Sequence, residues 1–310
     1  MAQKPETKNQ KYWREREERE AVSRAKYADG THRRARRKYK KLYEQAYKDA
    51  KAIFEDFFNR LELYDLTLQN PDPNIPNSGR QNMAISELYR YNRYYEMMEE
   101  LRQLANKLGA NLLDTLDPEM KDLYLWTSKQ ISKDIGISTK QADEIAKTLY
   151  TTTGQNWQDS VWVGNQNATE RVGNSMWRLQ SRIEQGLMDV VVTGASRRKF
   201  NDMLVNSFGV SYSEADRLAR TEISHIQNEA SFNTYRRCGV EEYEYLCISE
   251  LNGDKNKARE NVCDECAKLH KRKFRLDEKM TGVNAPPMHP HCRCNTRAVL
   301  NIPSLQQPSI

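Results

Sequence analysis

The sequence predicts a mainly α-helical protein, with an elongated helical N-terminal region followed by a small α+β C-terminal module that contains a Cys/His cluster. Long stretches carry apolar residues at helical spacing, whereas a period-two pattern appears only near the C-terminus. Four of the six cysteines and three of the five histidines fall between Cys263 and Cys294. Charged residues make up 30 % of the chain and the mean hydropathy is −0.91, which indicates a large surface relative to the core and favours an elongated shape.

The N-terminal stretch Lys11–Leu66 contains no proline and a single glycine, Gly30. From Leu42 onward, its apolar residues recur at i, i+3 and i+4 steps, which predicts a helix with a broad apolar stripe. Such a stripe is typical of packing against other helices. Its members are Leu42, Tyr43, Ala46, Tyr47, Ala50, Ile53, Phe54, Phe57, Phe58 and Leu61. The charged stretch before Ala28 has few apolar residues and is predicted to be a mobile arm or a helix that only a partner orders.

The middle of the chain is punctuated by turn and capping signals. Asn70–Gly79 holds three prolines and predicts a loop, and a helix is expected from Arg80 until Gly109 caps it. Pro118 is placed as the first residue of the next helix, and Ser138 as the cap of a short helix that ends near Tyr150. Further helical segments are expected at 155–164 and 168–185.

The C-terminal third mixes helix and strand. Ser211 is expected to cap a helix that ends before Gly239, and the alternating run Val240–Ile248 predicts a strand. Lys273–Leu276 and Ala298–Ile302 are candidate second and third strands. We therefore divide the sequence into a basic long-helix region (1–69), a helical domain (80–189), a C-terminal domain (190–302) and a tail (303–310).

Positive charge is concentrated near the N-terminus. Residues 1–60 hold 18 Lys/Arg against 10 Asp/Glu, whereas the whole chain has a net charge of +6. A polybasic segment can neutralise phosphates and bind nucleic acid without sequence preference. A solvated helix face, or a patch that docks on an acidic protein surface, is the alternative interpretation. The candidate DNA-binding residues are Arg33, Arg34, Arg36, Arg37, Lys38, Lys40 and Lys41.

The Cys/His cluster has the spacing of a small zinc site. Cys263 and Cys266 form a Cys-x-x-Cys pair, and His289 and Cys292 repeat the two-residue gap after 22 intervening residues. These four residues are the predicted ligands of a structural Zn²⁺, with His291 and Cys294 as alternates for His289 and Cys292. Free buried thiols with hydrogen-bonded histidines, or disulfides, remain alternatives.

Other features of the sequence favour a scaffold over an enzyme. Glu222 and His225 are spaced to share one face of a helix, which suits a hydrogen-bonded structural pair better than an acid–base pair. The His-x-Glu of zinc deaminases is missing, and the order of ligands does not fit an HNH nuclease. No run reaches the length of a membrane span, and no secretory signal precedes the first helix, so a reducing cytoplasm is the expected compartment.

Several of these motifs together resemble the phage Mu F-like minor head (head morphogenesis) protein family. The resemblance runs from about residue 190 to 300. It is carried by Arg220-Thr221-Glu222 on a helix, by Gly239 and an aromatic strand, by the Cys-x-x-Cys pair, and by Pro286-Pro-Met-His-Pro-His-Cys-Arg-Cys294. Arg220, Thr221, Glu222 and Arg293 are its motif residues outside the metal set. The sequence departs from the family pattern in its longer, Lys-rich 250–261 segment.

The resemblance implies a minor capsid protein, a low-copy structural component of a tailed-phage virion with no enzymatic activity. It implies association with the portal protein and, in addition, with major capsid or scaffolding protein and with packaged double-stranded DNA. The implied location is the capsid interior near the portal, after synthesis in the bacterial cytoplasm. The alternatives are a metal-dependent enzyme, either a nuclease or a toxin-like modifying domain, that uses the Cys/His site, and a cytoplasmic zinc protein that binds DNA. A closed four-ligand site favours the scaffold, and an open coordination position favours the enzyme.

Overall fold

The computed structural model describes residues 8–68, 78–162, 165–193, 197–248 and 263–300. This part of the chain contains six α-helices and three short strands, and all three strands lie after the fifth α-helix. This confirms the predicted fold class. The helices are α1 (Lys8–Leu68), α2 (Ser78–Asp134), α3 (Thr139–Leu149), α4 (Ala168–Thr193), α5 (Arg197–Arg237) and α6 (Asp264–Leu269). The strands are β1 (Glu242–Leu246), β2 (Lys273–Arg275) and β3 (Asn295–Val299).

Helix α2 is longer than the sequence predicts, because neither Gly109 nor Pro118 ends it. The backbone continues through Gly109, where a Cβ atom would lie 2.8 Å from Cγ of Met176 in α4. The glycine therefore permits close approach of two helices and does not serve as a cap. Pro118 lies inside the helix between the fully buried Leu116 and Met120, so packing on both sides outweighs the missing backbone hydrogen bond.

Helix α5 continues through Ser211, where the sequence predicts the start of a helix. Ser211 lies inside it, fully buried, and its hydroxyl shares a 3.3 Å hydrogen bond with the Tyr43 hydroxyl. The predicted cap at Ser138 is confirmed, since its Oγ accepts from the Gln141 backbone N–H at 3.4 Å. The helix expected at 155–164 is wrong: turns occupy residues 155–159, and Trp157 donates from Nε1 to Asp117 at 2.9 Å.

The strands form one antiparallel sheet in the order β2-β1-β3. Gly239 lies just after the end of α5 and has a φ of +72°, as predicted for the residue that stops this helix. Glycine adopts this conformation without a Cβ penalty. Tyr243 of β1 pairs with Phe274 on one side and Ala298 on the other. Strand β3 begins three residues before the predicted start at Ala298.

The chain divides into two compact units that do not follow sequence order. Unit 1 consists of 1–36, 115–169 and 216–310, and unit 2 of 37–114 and 170–215. The sequence-based domain boundaries describe regions of the chain and stay a prediction.

The core of unit 2 is made by apolar helix faces. Phe54 of α1 stacks on Phe200 of α5, and Tyr47 meets Phe208 edge to face at 5.8 Å. Unit 2 also contains further fully or nearly fully buried aliphatic side chains. They include Leu101, Leu108, Leu112, Leu179, Ile183 and Leu187.

In unit 1, small residues of α1 allow close packing against the C-terminal module. Ala21 and Ala25, one helical turn apart, contact Leu246 and Ile248 in a buried cluster. A second cluster surrounds Tyr243 and joins α2, α5 and the sheet. No helix in the described ranges combines the length and the apolar character that crossing a membrane requires.

Candidate metal centre

The start of α6 fixes the Cys-x-x-Cys pair. Cys263 is the N-cap residue in extended conformation, and its sulfur accepts a 3.3 Å hydrogen bond from the backbone N–H of Cys266. This is the position at which Ser or Asp oxygens usually accept. Because the cap and the third helical residue lie on one side of the first turn, the two sulfurs face a common point.

His289 presents one ring nitrogen to this pair. Its Nδ1 lies 2.8 Å from the carbonyl oxygen of Pro290, and its Nε2 lies 3.3 Å from the sulfur of Cys266. A carbonyl oxygen only accepts, so Nδ1 carries a proton, and in the neutral ring Nε2 then keeps its lone pair. A histidine held in this tautomer by a backbone carbonyl is the usual arrangement of a metal-ligating imidazole.

The donor atoms fall into two overlapping groups. The ligand atoms of Cys263, Cys266 and His289 lie within 4.8 Å of one another, and so do those of Cys266, Cys292 and Cys294. Cys266 belongs to both. Among the described residues, neither group combines Cys263 or His289 with Cys292 or Cys294. These groups could hold a metal ion, and the predicted set of four ligands stays a prediction.

The second group is enclosed in apolar surroundings. Cys266, Cys292 and Cys294 are 2 %, 1 % and 5 % exposed and pack with Tyr245 and Cys247 in one buried cluster. The Tyr245 hydroxyl donates to the sulfur of Cys266 at 3.3 Å. Burial raises the pKa of Tyr245, so this hydroxyl remains a donor.

The thiols differ in acidity. Hydrogen bonds from Cys266 and Cys294 lower the pKa of Cys292 well below its ordinary value. The contact with Cys292 raises the pKa of Cys266, and the contact with Cys247 raises that of Cys294.

The two other histidines of the stretch belong to neither group. His291 adopts a positive φ of 63°, and its backbone N–H donates to the Thr221 hydroxyl at 3.3 Å. Burial lowers the pKa of its imidazole. His270 accepts from the backbone N–H of Cys247 at 3.1 Å through Nδ1, as expected of a neighbour of the cluster.

Residues of the two family-like motifs meet on a single aspartate of α1. Asp29 accepts a hydrogen bond from Arg220 through one carboxylate oxygen and from Arg293 through the other. The Thr221 hydroxyl, next to Arg220, holds the backbone of His291. The Arg-Thr-Glu element thus fixes the loop that carries Cys292 and Cys294.

Glu222 and His225 form a buried cluster with Trp162. Trp162 donates from Nε1 to the Glu222 carboxylate at 3.1 Å, and its ring stacks on the His225 imidazole at 4.1 Å between centroids. Glu222 is 1 % and His225 3 % exposed. The indole thus joins the two side chains, by a hydrogen bond to Glu222 and a ring contact with His225.

Arg34 and Arg36 of the polybasic segment bond acidic residues of α2 and α5. Arg34 bonds Glu119 at 2.9 Å and Asp122 at 3.3 Å, and Arg36 lies 3.2 Å from Asp216. These two side chains take part in holding unit 1 together. The remaining candidates all have exposed side chains: Arg33, Arg37, Lys38, Lys40 and Lys41.

A known protein family matches the part of the chain that contains the Cys/His cluster. Residues 181–297 match the family model described as Phage Mu protein F like protein, and this stretch contains the Arg-Thr-Glu element and the whole Cys/His cluster. Residues 181–297 are thus similar to this family. The resemblance predicted from the motifs is confirmed. No curated protein and no solved structure matches the chain.

The match covers 117 of the 310 residues. It leaves α1 outside, although Asp29 of that helix contacts the arginines of both motifs.

Three contributors to this site were not assigned from the sequence. Tyr245 in β1 and Cys247 directly after it reach the thiol cluster, and their alternation on one face of the predicted strand was the available signal. Asp29 carries no such signal, because it lies 191 and 264 residues from its two arginine partners.

Proposed function

We propose that this protein is a low-copy structural component of the phage head that associates with the portal protein during assembly and is not an enzyme. The observation that supports this most directly is the Mu F-like match, which coincides with the Cys/His cluster and the Arg-Thr-Glu element. The buried state of Glu222 and His225 agrees with it, since a catalytic pair must reach its substrate. The proposed location is the capsid interior near the portal.

Portal association is tested by co-expression of the full chain with tagged portal protein of the same phage. We expect the protein to be retained by the portal and not by the tag alone, and parallel experiments with the major capsid and scaffolding proteins measure selectivity. Absence of the protein from the portal fraction at physiological salt would overturn the proposal. Quantitative mass spectrometry of virions should find far fewer copies than of major capsid protein.

We further propose that the Cys/His cluster binds zinc in a structural role. The residues suit Zn²⁺, because thiolates and a neutral imidazole with a free Nε2 are its preferred ligands. Zinc would fasten α6 to the 289–294 loop, a part of the chain that has only three short strands for its own sheet. Metal analysis of protein purified without added zinc tests this, and a content near zero would refute it.

The exposed part of the polybasic segment is proposed to contact packaged double-stranded DNA. Arg34 and Arg36 are excluded from the test because they bond Glu119 and Asp216. We expect replacement of Arg37, Lys38, Lys40 and Lys41 by Gln to weaken DNA binding and to reduce its dependence on salt. The slope should fall by about 0.9 for each phosphate that the variant no longer neutralises.

A matched variant removes the same charge from exposed positions elsewhere, and it should keep the wild-type salt slope. An identical slope in both variants would mean that the segment does not bind DNA. The control positions are Lys107, Lys140, Lys147 and Lys268.

A further inference from the structure

The geometry points to two metal ions in the Cys/His cluster, joined by the Cys266 sulfur as a shared ligand. The inference rests on the proposed zinc binding and extends it. An outer ion is held by three protein ligands, Cys263, Cys266 and His289, with water in its fourth position, so the structural role proposed above belongs to the inner ion. An inner ion is held by Cys266, Cys292 and Cys294, with Cys247 beside them.

The separation of the donor atoms is the first argument. In a tetrahedral zinc site with Zn–S near 2.3 Å, ligand atoms lie within about 4 Å of one another. In each of the two groups, the three ligand atoms lie within 4.8 Å of one another, which is slightly wider than this spacing. No set of four ligand atoms from the described residues lies within 4.8 Å. One ion would require Cys292 or Cys294 to move towards Cys263 and His289, whereas two ions use the donors where they lie.

The backbone around the inner cysteines opposes such a movement. The N–H of Cys292 donates to the carbonyl of His289 at 3.1 Å, and the carbonyl of Cys294 accepts from Asn228 at 3.2 Å. Between them, Arg293 is bonded to Asp29 of α1. Asn295 then enters β3 and donates to the carbonyl of Ala21 at 2.8 Å.

The chemistry of the shared residue is the second argument. A thiolate has several lone pairs and can bind two ions, whereas a neutral imidazole with one proton has a single lone pair to offer. The donor common to both groups is a cysteine. Four thiolates also balance the charge of two divalent ions, which matters because Cys266, Cys292 and Cys294 are almost fully buried.

The two positions differ in surroundings. Cys263 and His289 are half-buried, so the outer ion lies nearer the surface. The inner ion is surrounded by buried sulfurs, since Cys294 also contacts the thiol of Cys247. Soft all-sulfur surroundings favour zinc, or cadmium as a probe, over magnesium or calcium. A chelator should therefore remove the outer ion faster than the inner one.

Native mass spectrometry of the full chain, purified without added metal, measures the stoichiometry. Two zinc ions per chain are expected. One ion per chain would overturn the two-ion proposal and leave the structural zinc site standing. No ion would overturn the zinc proposal itself.

Paired variants separate the two positions. Cys292→Ser with Cys294→Ser should retain one ion, and Cys263→Ser with His289→Ala should retain one ion, the slower to be chelated. Cys238→Ser, outside both groups, is the matched control and should retain two. Loss of both ions in each double variant, with the fold intact by circular dichroism, would contradict separate positions.

Wild-type protein substituted with cadmium provides a measurement that does not depend on folding of the variants. Cadmium NMR should show two resonances of equal intensity that are coupled to each other through the Cys266 sulfur. A single resonance would refute the second ion, and two uncoupled resonances would refute the shared ligand.

Discussion

The two compact units of this protein differ in the kind of contact that holds each one together internally. Unit 2 relies on stacked aromatic rings and apolar helix faces, such as Phe54 on Phe200. Unit 1 has buried apolar clusters as well, and in addition buried polar groups join segments that lie far apart in its sequence. Apolar burial stabilises without strict direction, whereas a buried hydrogen bond requires one partner at one place.

Arg24 shows how unit 1 is joined. This 4 %-exposed residue donates to Asp134 at 2.9 Å and to the carbonyl of Thr296 at 3.1 Å. Its own carbonyl accepts from Gln227 at 2.6 Å. One residue of α1 thus contacts α2, α5 and β3. The difference between the units teaches that helix faces can be anticipated from periodicity, whereas these partners cannot.

The largest expected effect tests the apolar side of the comparison. Phe200→Ala should destabilise the protein by about 4 kcal/mol, because it leaves a cavity beneath Phe54. Urea unfolding followed by circular dichroism measures the free energy, and hydrogen exchange locates the change in unit 2. Val205→Ala, at an exposed position of the same helix, should cost less than about 0.5 kcal/mol. Equal destabilisation in both variants would contradict the assigned core.

Arg24→Met tests the polar side. It keeps much of the side-chain volume but leaves Asp134 without its cation, and a destabilisation of about 3 kcal/mol is expected. Arg19→Met, at an exposed position of the same helix, is the control and should be nearly neutral. Hydrogen exchange should increase in the segments that Arg24 joins. A neutral Arg24→Met would show that unit 1 does not depend on this contact.

Asp29→Asn removes the charge between Arg220 and Arg293 and should cost about 2 kcal/mol. Faster hydrogen exchange is expected in the 289–295 loop, because Arg293 is no longer anchored. The change Asp114→Asn, at an exposed position of unit 2, should leave this loop unaffected. Unchanged exchange in the Asp29 variant would remove the link proposed between α1 and the cysteine loop.

The smallest effect concerns a polar network of unit 2 centred on Glu214. Burial alone would raise the pKa of Glu214, but hydrogen bonds from Arg182 and Ser175 and the charge of Arg178 together lower it. Its carboxylate therefore contributes stability above the ordinary Glu pKa, and the contribution disappears as the pH falls through the lowered value.

Glu214→Gln should cost about 1 kcal/mol at neutral pH and nothing once the wild-type carboxyl is protonated. The unfolding free energy of the variant should accordingly fall less steeply than that of the wild type as the pH falls below 4.5, the ordinary Glu pKa. Glu184→Gln, at an exposed position in the same unit, should preserve the wild-type slope. A parallel pH dependence for wild type and Glu214→Gln would contradict this role.

Much of the fold could be predicted from the sequence, because it depends on local pattern. The first helix from Leu42 onward, the cap at Ser138, the stop at Gly239 and the alternating strand around Tyr243 all follow from spacing of a few residues. The breaks expected at Gly109 and Ser211 were wrong for one reason. Both residues have a second use in tertiary packing, one as a close helix contact and the other as a buried hydrogen-bonding group.

The sequence indicates which cysteines and histidines are candidate ligands, but it does not indicate how they are arranged. Cys263, Cys266, His289 and Cys292 were identified from spacing, yet spacing does not show that Cys266 belongs to two groups. Nor does it show which part of the chain supports the cysteine loop. That information lies in the fold, where β1 and α1 approach the same loop from distant positions.

The contacts of Asp29 and Arg24 have a consequence for the order in which the chain can fold during synthesis. Both residues are translated first, but Arg220, Thr296 and Arg293 emerge from the ribosome some 190 to 270 residues later. At ordinary rates of elongation this interval lasts on the order of ten to fifty seconds. During that time the beginning of α1 exposes Ala21, Ala25 and a cation without its final partners. Unit 1 can therefore close only when translation is nearly complete, and a ribosome stalled after residue 215 would hold a nascent chain in which only unit 2 has all of its segments.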